Sequence, residues 1–212
     1  MTVDLPWHML QRTLATGGIV VVWVEAPTEI EAMRQLTRWV CTELTARLSI
    51  DGLHVSRSAT PGLGAVALCA SAAVGVDVER QRTAWVEDDL LRLALHPAEF
   101  SEQRRTGEEA FFGIWVRKEA VLKALGVGLA TAPSTFAVGK ANTEWMTCSV
   151  TNIGTVRLRS LSAPKGFDAA IACSGRSNAL QCWSLRTAGC TDNRASLTSV
   201  PNGASGHTAS VG

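Results

Sequence analysis

The sequence predicts a mixed α+β fold for a chain of 212 residues. A uniformly apolar, β-branched run at 19–24, I-V-V-V-W-V, is typical of a buried strand. Helix-start signals follow this run and recur near residue 106, where they precede a series of short strand-like runs. The resulting order of strand, helix, strands, helix and strands suggests two similar halves, although the residues show no strong internal repeat.

The first half is predicted to contain one long helix followed by a hairpin. Thr28 and Glu31 have the spacing of a capping box, so a helix is expected to begin there and to end near Leu48. Two later runs, A-V-A-L-C-A at 65–70 and A-V-G-V-D-V-E at 73–79, have the composition of paired strands. The alternation in the second run places Asp77 and Glu79 on one face and the intervening valines on the other.

The second half is predicted to contain two helices and then strands. Pro97 favours a short helix over 97–105, and Thr106 with Glu109 forms a second capping box. The helix that follows is expected to run to Leu125 and to stop at Gly126. Strand-like runs then occur at 134–138, 145–151, 154–160, 167–174 and 180–185.

Composition and charge exclude several classes of function. Apolar residues make up 46% and charged residues 18%, which is enough to build a sizeable core. The formal net charge of +1 gives no general polyanion-binding surface, so nucleic acid is not expected as a partner. The cysteines lie in apolar runs and form no metal-binding spacing.

The N-terminus lacks the pattern of a signal peptide, and the run at 19–24 is too short to span a bilayer. We therefore expect a soluble protein without a membrane partner in a reducing cytoplasm. Residues 187–212 are rich in Thr, Ser, Gly, Asn and Ala, and we expect them to form a disordered tail.

Three carboxylates are the candidate metal ligands. Asp77 and Glu79 share one face of a strand, and Glu119 lies on the long helix with Lys123 one turn further on and Trp115 one turn before. If the helix packs over the strand, these carboxylates are suited to hold Mg²⁺, which takes carboxylate oxygens and keeps positions for water and substrate phosphate. Alternatively, D-x-E is a solvated edge pair, and Glu119 with Lys123 is a helical surface ion pair. Trp115 fits a core position of an amphipathic helix.

Several segments, taken in order, resemble the 4'-phosphopantetheinyl transferase superfamily, in particular its surfactin-synthetase-activating (Sfp-type) branch. V-G-V-D-V-E at 74–79 is similar to the family's metal motif G-[IV]-D-[IV]-E. F-F-G-I-W-V-R-K-E-A-V-L-K-A-L-G-V-G-L at 111–129 is similar to W-x-x-K-E-A-x-x-K-A-x-G-x-G-L. H-P-A-E at 96–99 and L-H-V-S-R-S at 53–58 also fall where the family has related segments.

The resemblance implies a pseudo-twofold 4'-phosphopantetheinyl transferase fold with two similar α/β halves. Residues 1–82 would form a shortened N-terminal half and residues 83–186 a C-terminal half that carries the long helix. The two-half branch also implies a monomer.

The implied reaction moves the phosphopantetheine arm of coenzyme A onto a serine of an apo acyl- or peptidyl-carrier protein and releases adenosine 3',5'-bisphosphate. Asp77, Glu79 and Glu119 would bind Mg²⁺, for which Mn²⁺ can substitute at oxygen ligands. Glu119 would also take the proton of the carrier serine. Lys123 would neutralise charge on the phosphate, and Lys118 would either assist it or face solvent.

The sequence departs from the family pattern in the segment that holds coenzyme A. Arg57, next to Ser56, stands where the family motif has a histidine that contacts phosphate, and arginine also binds phosphate. The usual G-K-P segment before it is missing, so Arg38 or Arg34 on the first long helix is expected to hold the nucleotide phosphate.

Two further functions remain open at this point. One is a non-catalytic module of the same fold that binds coenzyme A or a carrier protein. The other is a different Mg²⁺-dependent phosphate enzyme, such as a diphosphate hydrolase. Turnover of coenzyme A without any carrier protein would distinguish the hydrolase from a transferase.

Overall fold

The computed structural model describes residues 2–81, 87–100, 109–176, 179–187 and 196–201. The helices are α1 (Trp7–Ala15), α2 (Ile30–Leu48), α3 (Asp88–Ala94) and α4 (Glu109–Leu125), with 3-10 turns at Gly128–Ala130 and Pro133–Thr135. The strands are β1 (Thr2–Val3), β2 (Ile19–Glu25), β3 (His54–Thr60), β4 (Leu63–Cys69), β5 (Val74–Arg80), β6 (Met146–Val150), β7 (Gly154–Ser160), β8 (Phe167–Cys173), β9 (Leu180–Thr187) and β10 (Ser196–Pro201).

Within the described residues, the strands form two sheets that pack face to face. The first sheet has the order β1-β10-β9-β2-β4-β3, and the second has the order β5-β8-β7-β6. One apolar cluster lies between the sheets, a second lies between the first sheet and helices α1 and α2, and a third lies between the second sheet and α4. The predicted α+β class is confirmed, whereas the twofold relation between the halves stays a prediction.

The predicted buried strand at 19–24 and the first long helix both form, with one correction at the helix start. β2 is buried on both faces along Ile19–Val24, as its uninterrupted apolar composition requires. The helix α2 begins at Ile30 and its N-cap is Glu29, which makes no capping hydrogen bond from its side chain. The capping box at Thr28 is therefore wrong, because the Thr28 hydroxyl donates to Met33 Sδ instead.

The predicted hairpin of β4 and β5 is wrong, since the two strands belong to different sheets. β4 lies between β2 and β3 in the first sheet, and β5 is an edge strand of the second sheet beside β8. Residues 70–73 join β4 to β5 and cross from the first sheet to the second. Both strands are almost wholly buried, so their composition alone cannot distinguish a shared sheet from two stacked sheets.

The C-terminal part of the chain also differs from expectation at two places. Residues 134–138 form no strand, because Pro133–Thr135 is a 3-10 turn. β9 reaches Thr187 and pairs parallel to β2 in the first sheet, and β10 at Ser196–Pro201 pairs antiparallel to β9. The expected disordered tail from residue 187 is thus wrong for β10, while residues 188–195 and 202–212 lie outside the described residues.

The long helix of the second half ends as predicted. α4 stops at Leu125, and Gly126 follows with a φ of +70°. The Gly126 and Val127 amides donate to Lys123 and Leu122, which is the hydrogen-bond pattern of a Schellman motif. Residues 97–100 of the short helix predicted over 97–105 are helical, whereas 101–105 and Thr106 of the second capping box lie outside the described residues. No helix in the part of the chain that the structure describes is long and apolar enough to cross a membrane.

The approach of β5 to α4 fixes the position of the predicted site. A Cβ atom added at Gly75 would lie 2.1 Å from the Ala120 carbonyl oxygen and 2.5 Å from the Ala124 amide nitrogen. The strand therefore touches the helix backbone at the one position without a side chain. Asp77 lies two residues beyond this contact on the same face of β5.

Replacing Gly75 by alanine is expected to destabilise the protein by about 1–3 kcal/mol, because the added methyl group must push α4 away from β5. Urea unfolding measures this loss. Gly113 is the matched control, since it lies inside α4 with only the tip of Arg117 within 4 Å of an added Cβ. Gly113→Ala should be neutral or stabilising by up to about 1 kcal/mol. Equal effects of the two substitutions would contradict the close approach.

Candidate active site

Strand β5 and helix α4 bring three of the predicted residues together. The Lys123 ammonium donates to Asp77 Oδ1 at 2.7 Å and to the Val76 carbonyl at 3.2 Å. Asp77 is only 4% exposed, and the Lys123 side chain is 29% exposed. Glu119 lies one turn before Lys123 on α4 and is half-buried. The alternative of a helical surface pair between Glu119 and Lys123 is wrong, because Lys123 pairs with the buried Asp77.

Strand β3 forms a second wall of the site. Ser58 Oγ donates to Asp77 Oδ1 at 2.7 Å, and Thr60 Oγ1 donates to Glu79 Oε2 at 3.2 Å. Ser56 Oγ accepts a hydrogen bond of 3.0 Å from the Val76 amide. These alternate hydroxyls of β3 link an edge strand of the first sheet to an edge strand of the second. Asp77 and Glu79 are therefore not a solvated edge pair.

Two carboxylate oxygens of the site, Asp77 Oδ2 and Glu119 Oε1, are buried and have no hydrogen-bond partner among the residues that the structure describes. Burial raises the pKa of Asp77, although the Lys123 ammonium opposes that shift. Burial also raises the pKa of Glu119, and the neighbouring charge of Asp77 adds to it. A smaller contribution from Glu79 has the same sign. The cluster thus carries more negative charge than Lys123 neutralises.

The donor set fits a hard cation, although no ready-made cage is present. Among the described residues, no group of three or more His, Cys, Asp or Glu side chains is placed to hold a metal ion. Mg²⁺, however, is commonly bound by one or two carboxylates together with waters and substrate phosphate. The two unpartnered oxygens of Asp77 and Glu119 are donors of that kind, and a cation would relieve the repulsion between their charges.

Lys118 lies elsewhere on α4 in a separate buried network. Its side chain is 0% exposed, and its ammonium contacts Glu99 Oε2 at 2.8 Å. It also donates to the carbonyl oxygens of Pro133 and Phe136. Of the two alternatives for Lys118, the one in which it faces solvent is wrong. In this structure its ammonium is occupied by protein oxygens, and it ties α4 to the loop that precedes β6.

Glu99 completes this network and belongs to the H-P-A-E segment. Its carboxylate accepts hydrogen bonds from the His96 amide at 2.9 Å and from the Val138 amide at 2.8 Å. His96 Nδ1 accepts from the Ala98 amide, so this histidine lies at the start of the helical turn that follows it. Trp115 packs against the core cluster beneath α4 and stacks on Phe111, which confirms its structural role.

The residues expected to hold coenzyme A lie on or beside β3. Ser56 is buried and bonded to β5, whereas Arg57 is exposed. In the pairing of β3 with β4, Arg57 lies opposite Val66, which belongs to the apolar cluster between the first sheet and helices α1 and α2. Arg57 therefore lies on the opposite face of β3 from Ser58. Arg38 is an exposed residue of α2, which packs on that same side.

Sequence reasoning missed three residues that shape the site, namely Ser58, Thr60 and Glu99. Ser58 and Thr60 continue the alternation that begins with Ser56, and this alternation of hydroxyls along a strand was the available signal. Nothing in the sequence indicated that β3 would lie beside β5. The partner of Glu99 is nineteen residues away on α4, at a distance that periodicity does not predict.

Substituting Lys118 by methionine is expected to destabilise the protein by about 3–5 kcal/mol, because the Glu99 carboxylate would remain buried without its counter-charge. Urea unfolding measures the loss. The control is Arg34→Met, because Arg34 pairs with Glu31 while 60% exposed. That change should cost at most about 1 kcal/mol. If Lys118→Met also lost no more stability than Arg34→Met, the buried pair of Lys118 and Glu99 would not be stabilising.

The raised pKa values of Asp77 and Glu119 predict that these two carboxyls stabilise the metal-free protein at low pH and that their contribution is lost as pH rises. In the unfolded chain these carboxyls titrate near their ordinary values of 3.8 and 4.5. In the folded protein the two carboxyls keep their protons to higher pH. Their contribution to the free energy of unfolding is therefore fully present below the unfolded-state pKa values and is lost as pH rises through the folded-state pKa values. Glu119→Gln removes one such group.

We therefore expect the Tm of Glu119→Gln in EDTA to fall less between about pH 4 and pH 7 than the Tm of the unsubstituted protein. Thermal unfolding across that range is the measurement. Glu31→Gln is the control, because Glu31 lies on the surface of α2. Parallel curves for Glu119→Gln and the unsubstituted protein would contradict the prediction.

Comparison with known proteins shows that the segment that carries this site is similar to one protein family. No curated protein matches the chain. Residues 73–173 match the family model of the 4'-phosphopantetheinyl transferase superfamily. This segment contains β5, α3, α4, β6, β7 and β8, and therefore Asp77, Glu79, Glu119 and Lys123. The match supports a phosphopantetheinyl transferase type of enzyme, with coenzyme A and a carrier protein as the general partners of that family.

Proposed function

We infer that the protein transfers the 4'-phosphopantetheine arm of coenzyme A to a serine of an apo acyl- or peptidyl-carrier protein. The reaction is Mg²⁺-dependent and releases adenosine 3',5'-bisphosphate. The main support is that a lysine ammonium lies with two buried carboxylate oxygens, which have no hydrogen-bond partner in the described ranges, in the segment that matches the family. This combination suits the transfer of a phosphoryl-linked group, which requires a base and positive charge close together.

Glu119 is the proposed base. The carrier serine attacks the phosphorus that bears the pantetheine arm, a new P–O bond forms, and the P–O bond to the nucleotide bisphosphate breaks. Glu119 accepts the serine proton directly or through a water. Its raised pKa suits this role, because the carboxylate holds the proton more firmly than an exposed glutamate does.

Lys123 neutralises the charge that develops on the leaving nucleotide phosphate. Its side chain is partly exposed, so the ammonium is able to contact a bound diphosphate from its position beside Asp77. A lysine acts here as a point charge whose long side chain permits small adjustments. Neutralisation of the leaving group at this place lowers the barrier more than it stabilises the bound substrate.

Asp77 and Glu119 would hold Mg²⁺ together with waters and substrate phosphate, Glu79 would add its charge to the site, and Mn²⁺ is a substitute at the same oxygen ligands. When bound, the ion supplies Lewis-acid charge to the diphosphate. The surrounding protein keeps the carboxylates fixed through Ser58, Thr60 and the contact of β5 with α4. Lys118 contributes to this fixed geometry by holding α4 in place.

Coenzyme A is proposed to bind along β3 and α2. Arg57 is exposed and carries a permanent charge that suits a nucleotide phosphate, and Arg38 lies exposed on the neighbouring helix. Ser56, which is bonded to β5, would set the distance between this phosphate region and the carboxylates. The functional unit is proposed to be a monomer.

A coenzyme A-binding or carrier-binding module without activity is the second candidate. The position of Arg57 favours it, because this residue lies on the other face of β3 from the carboxylates. The unpartnered oxygens favour the transferase, since a module that only binds has no need for buried, repelling carboxylates. A diphosphate hydrolase would consume coenzyme A without a carrier protein.

The test is intact-mass spectrometry of an apo carrier protein after incubation with the protein, coenzyme A and Mg²⁺. We expect a gain of one phosphopantetheine mass that EDTA abolishes. Glu119→Gln should reduce the transfer rate by at least about 100-fold, because a positioned base contributes that much or more. The fold of this variant should be retained, since a neutral amide replaces a repelling carboxylate.

Glu31→Gln is the matched control and should transfer at the unsubstituted rate, because Glu31 is exposed on α2. Near-normal transfer by Glu119→Gln would overturn the assignment of the base. Absence of transfer to several carrier types, with coenzyme A still bound, would favour the binding module.

A further inference from the structure

Asp77 Oδ1 accepts two side-chain hydrogen bonds, whereas Asp77 Oδ2 accepts no hydrogen bond from the described part of the chain. Ser58 Oγ and Lys123 Nζ both donate to Oδ1, each at 2.7 Å. Oδ2 is buried and unpartnered. The two donors thus determine which oxygen of the carboxylate remains available for a cation.

The two donors differ in how firmly they are held. Lys123 reaches Asp77 from α4 through a long side chain that is 29% exposed. Ser58 has a single short side-chain torsion and lies in the β3 ladder, where it pairs with Ala65 of β4. Lys123 is also the residue proposed to contact the substrate phosphate. When its ammonium makes that contact, its hydrogen bond to Asp77 is weakened or lost. Ser58 has no such second partner in the proposed reaction.

We propose that Ser58 is a positioning residue that holds Asp77 Oδ1 when Lys123 turns to the substrate phosphate, so that Oδ2 remains directed to the cation. The inference rests on the proposed function and adds a residue to it. Hydrogen-bond donors behind a ligating carboxylate orient it, and their loss commonly reduces metal affinity by about 10-fold or more. Thr60 stands in the same relation to Glu79, at the longer distance of 3.2 Å.

The test compares two variants of nearly the same shape. Ser58→Thr keeps the hydroxyl, and Ser58→Val replaces it with a methyl group. Both side chains are β-branched and suited to a strand. Mn²⁺ binding, measured by electron paramagnetic resonance or by calorimetry without coenzyme A and again with it, is the readout. It is independent of turnover and of the carrier protein.

We expect Ser58→Val to weaken Mn²⁺ binding about 10-fold or more, with the larger loss in the presence of coenzyme A, and Ser58→Thr to remain close to the unsubstituted protein. Lys123→Met should not weaken Mn²⁺ binding without coenzyme A, because it removes a positive charge from the cluster. Ser149→Val is the matched control, because Ser149 is exposed on β6. Within the described residues, its hydroxyl forms a hydrogen bond with the Thr155 hydroxyl. It should leave Mn²⁺ affinity unchanged.

Equal Mn²⁺ affinities of Ser58→Val and Ser58→Thr would overturn the role of Ser58 and leave the proposed transferase intact. Failure of the unsubstituted protein to bind Mn²⁺, with or without coenzyme A, would overturn both the metal-dependent reaction and this role. If Ser58→Val alone does not fold, the comparison of Ser58→Ala with Ser58→Thr gives the same decision from the same readout.

Discussion

The contact between β5 and α4 at Gly75 is the constraint on which the site depends. The strand meets the helix backbone there, since an added Cβ would overlap the Ala120 carbonyl. This contact sets how far Asp77 lies from Glu119 and Lys123. A larger residue at position 75 would separate the strand from the helix, and the carboxylates and the ammonium would no longer share one cluster.

The site is built where two sheets meet at their edges. β3 ends the first sheet and β5 ends the second, and the hydroxyls of Ser56, Ser58 and Thr60 cross from one to the other. Edge strands usually leave polar groups exposed to water. Here side-chain hydroxyls of β3 bind the carboxylates of β5, so Asp77 is held by both sheets and by Lys123 of α4. Burial makes their charges costly, and that cost is what a bound cation would relieve.

Much of the site was predictable because its residues lie in short motifs whose geometry is local. The alternation in V-G-V-D-V-E placed Asp77 and Glu79 on one face, and helical spacing placed Glu119 and Lys123 one turn apart. Other expectations were wrong because distant partners decide them. β4 and β5 were assigned to one hairpin although they lie in different sheets, and one of the two alternatives for Lys118 placed it in solvent although it is buried beside Glu99.

The sequence by itself determined the α+β class, the end of α4 at Gly126 and the residue types that can bind a metal or move a proton. Each of these follows from the spacing of residue types within a few positions of the chain, because the regular backbone of a helix or strand fixes where nearby side chains lie. Only the tertiary structure decided that Ser58 donates to Asp77, that Lys123 pairs with Asp77 and that Lys118 is enclosed by Glu99 and the loop before β6. These partners are far apart in the chain, and they meet because the apolar faces of two sheets and a helix are buried together.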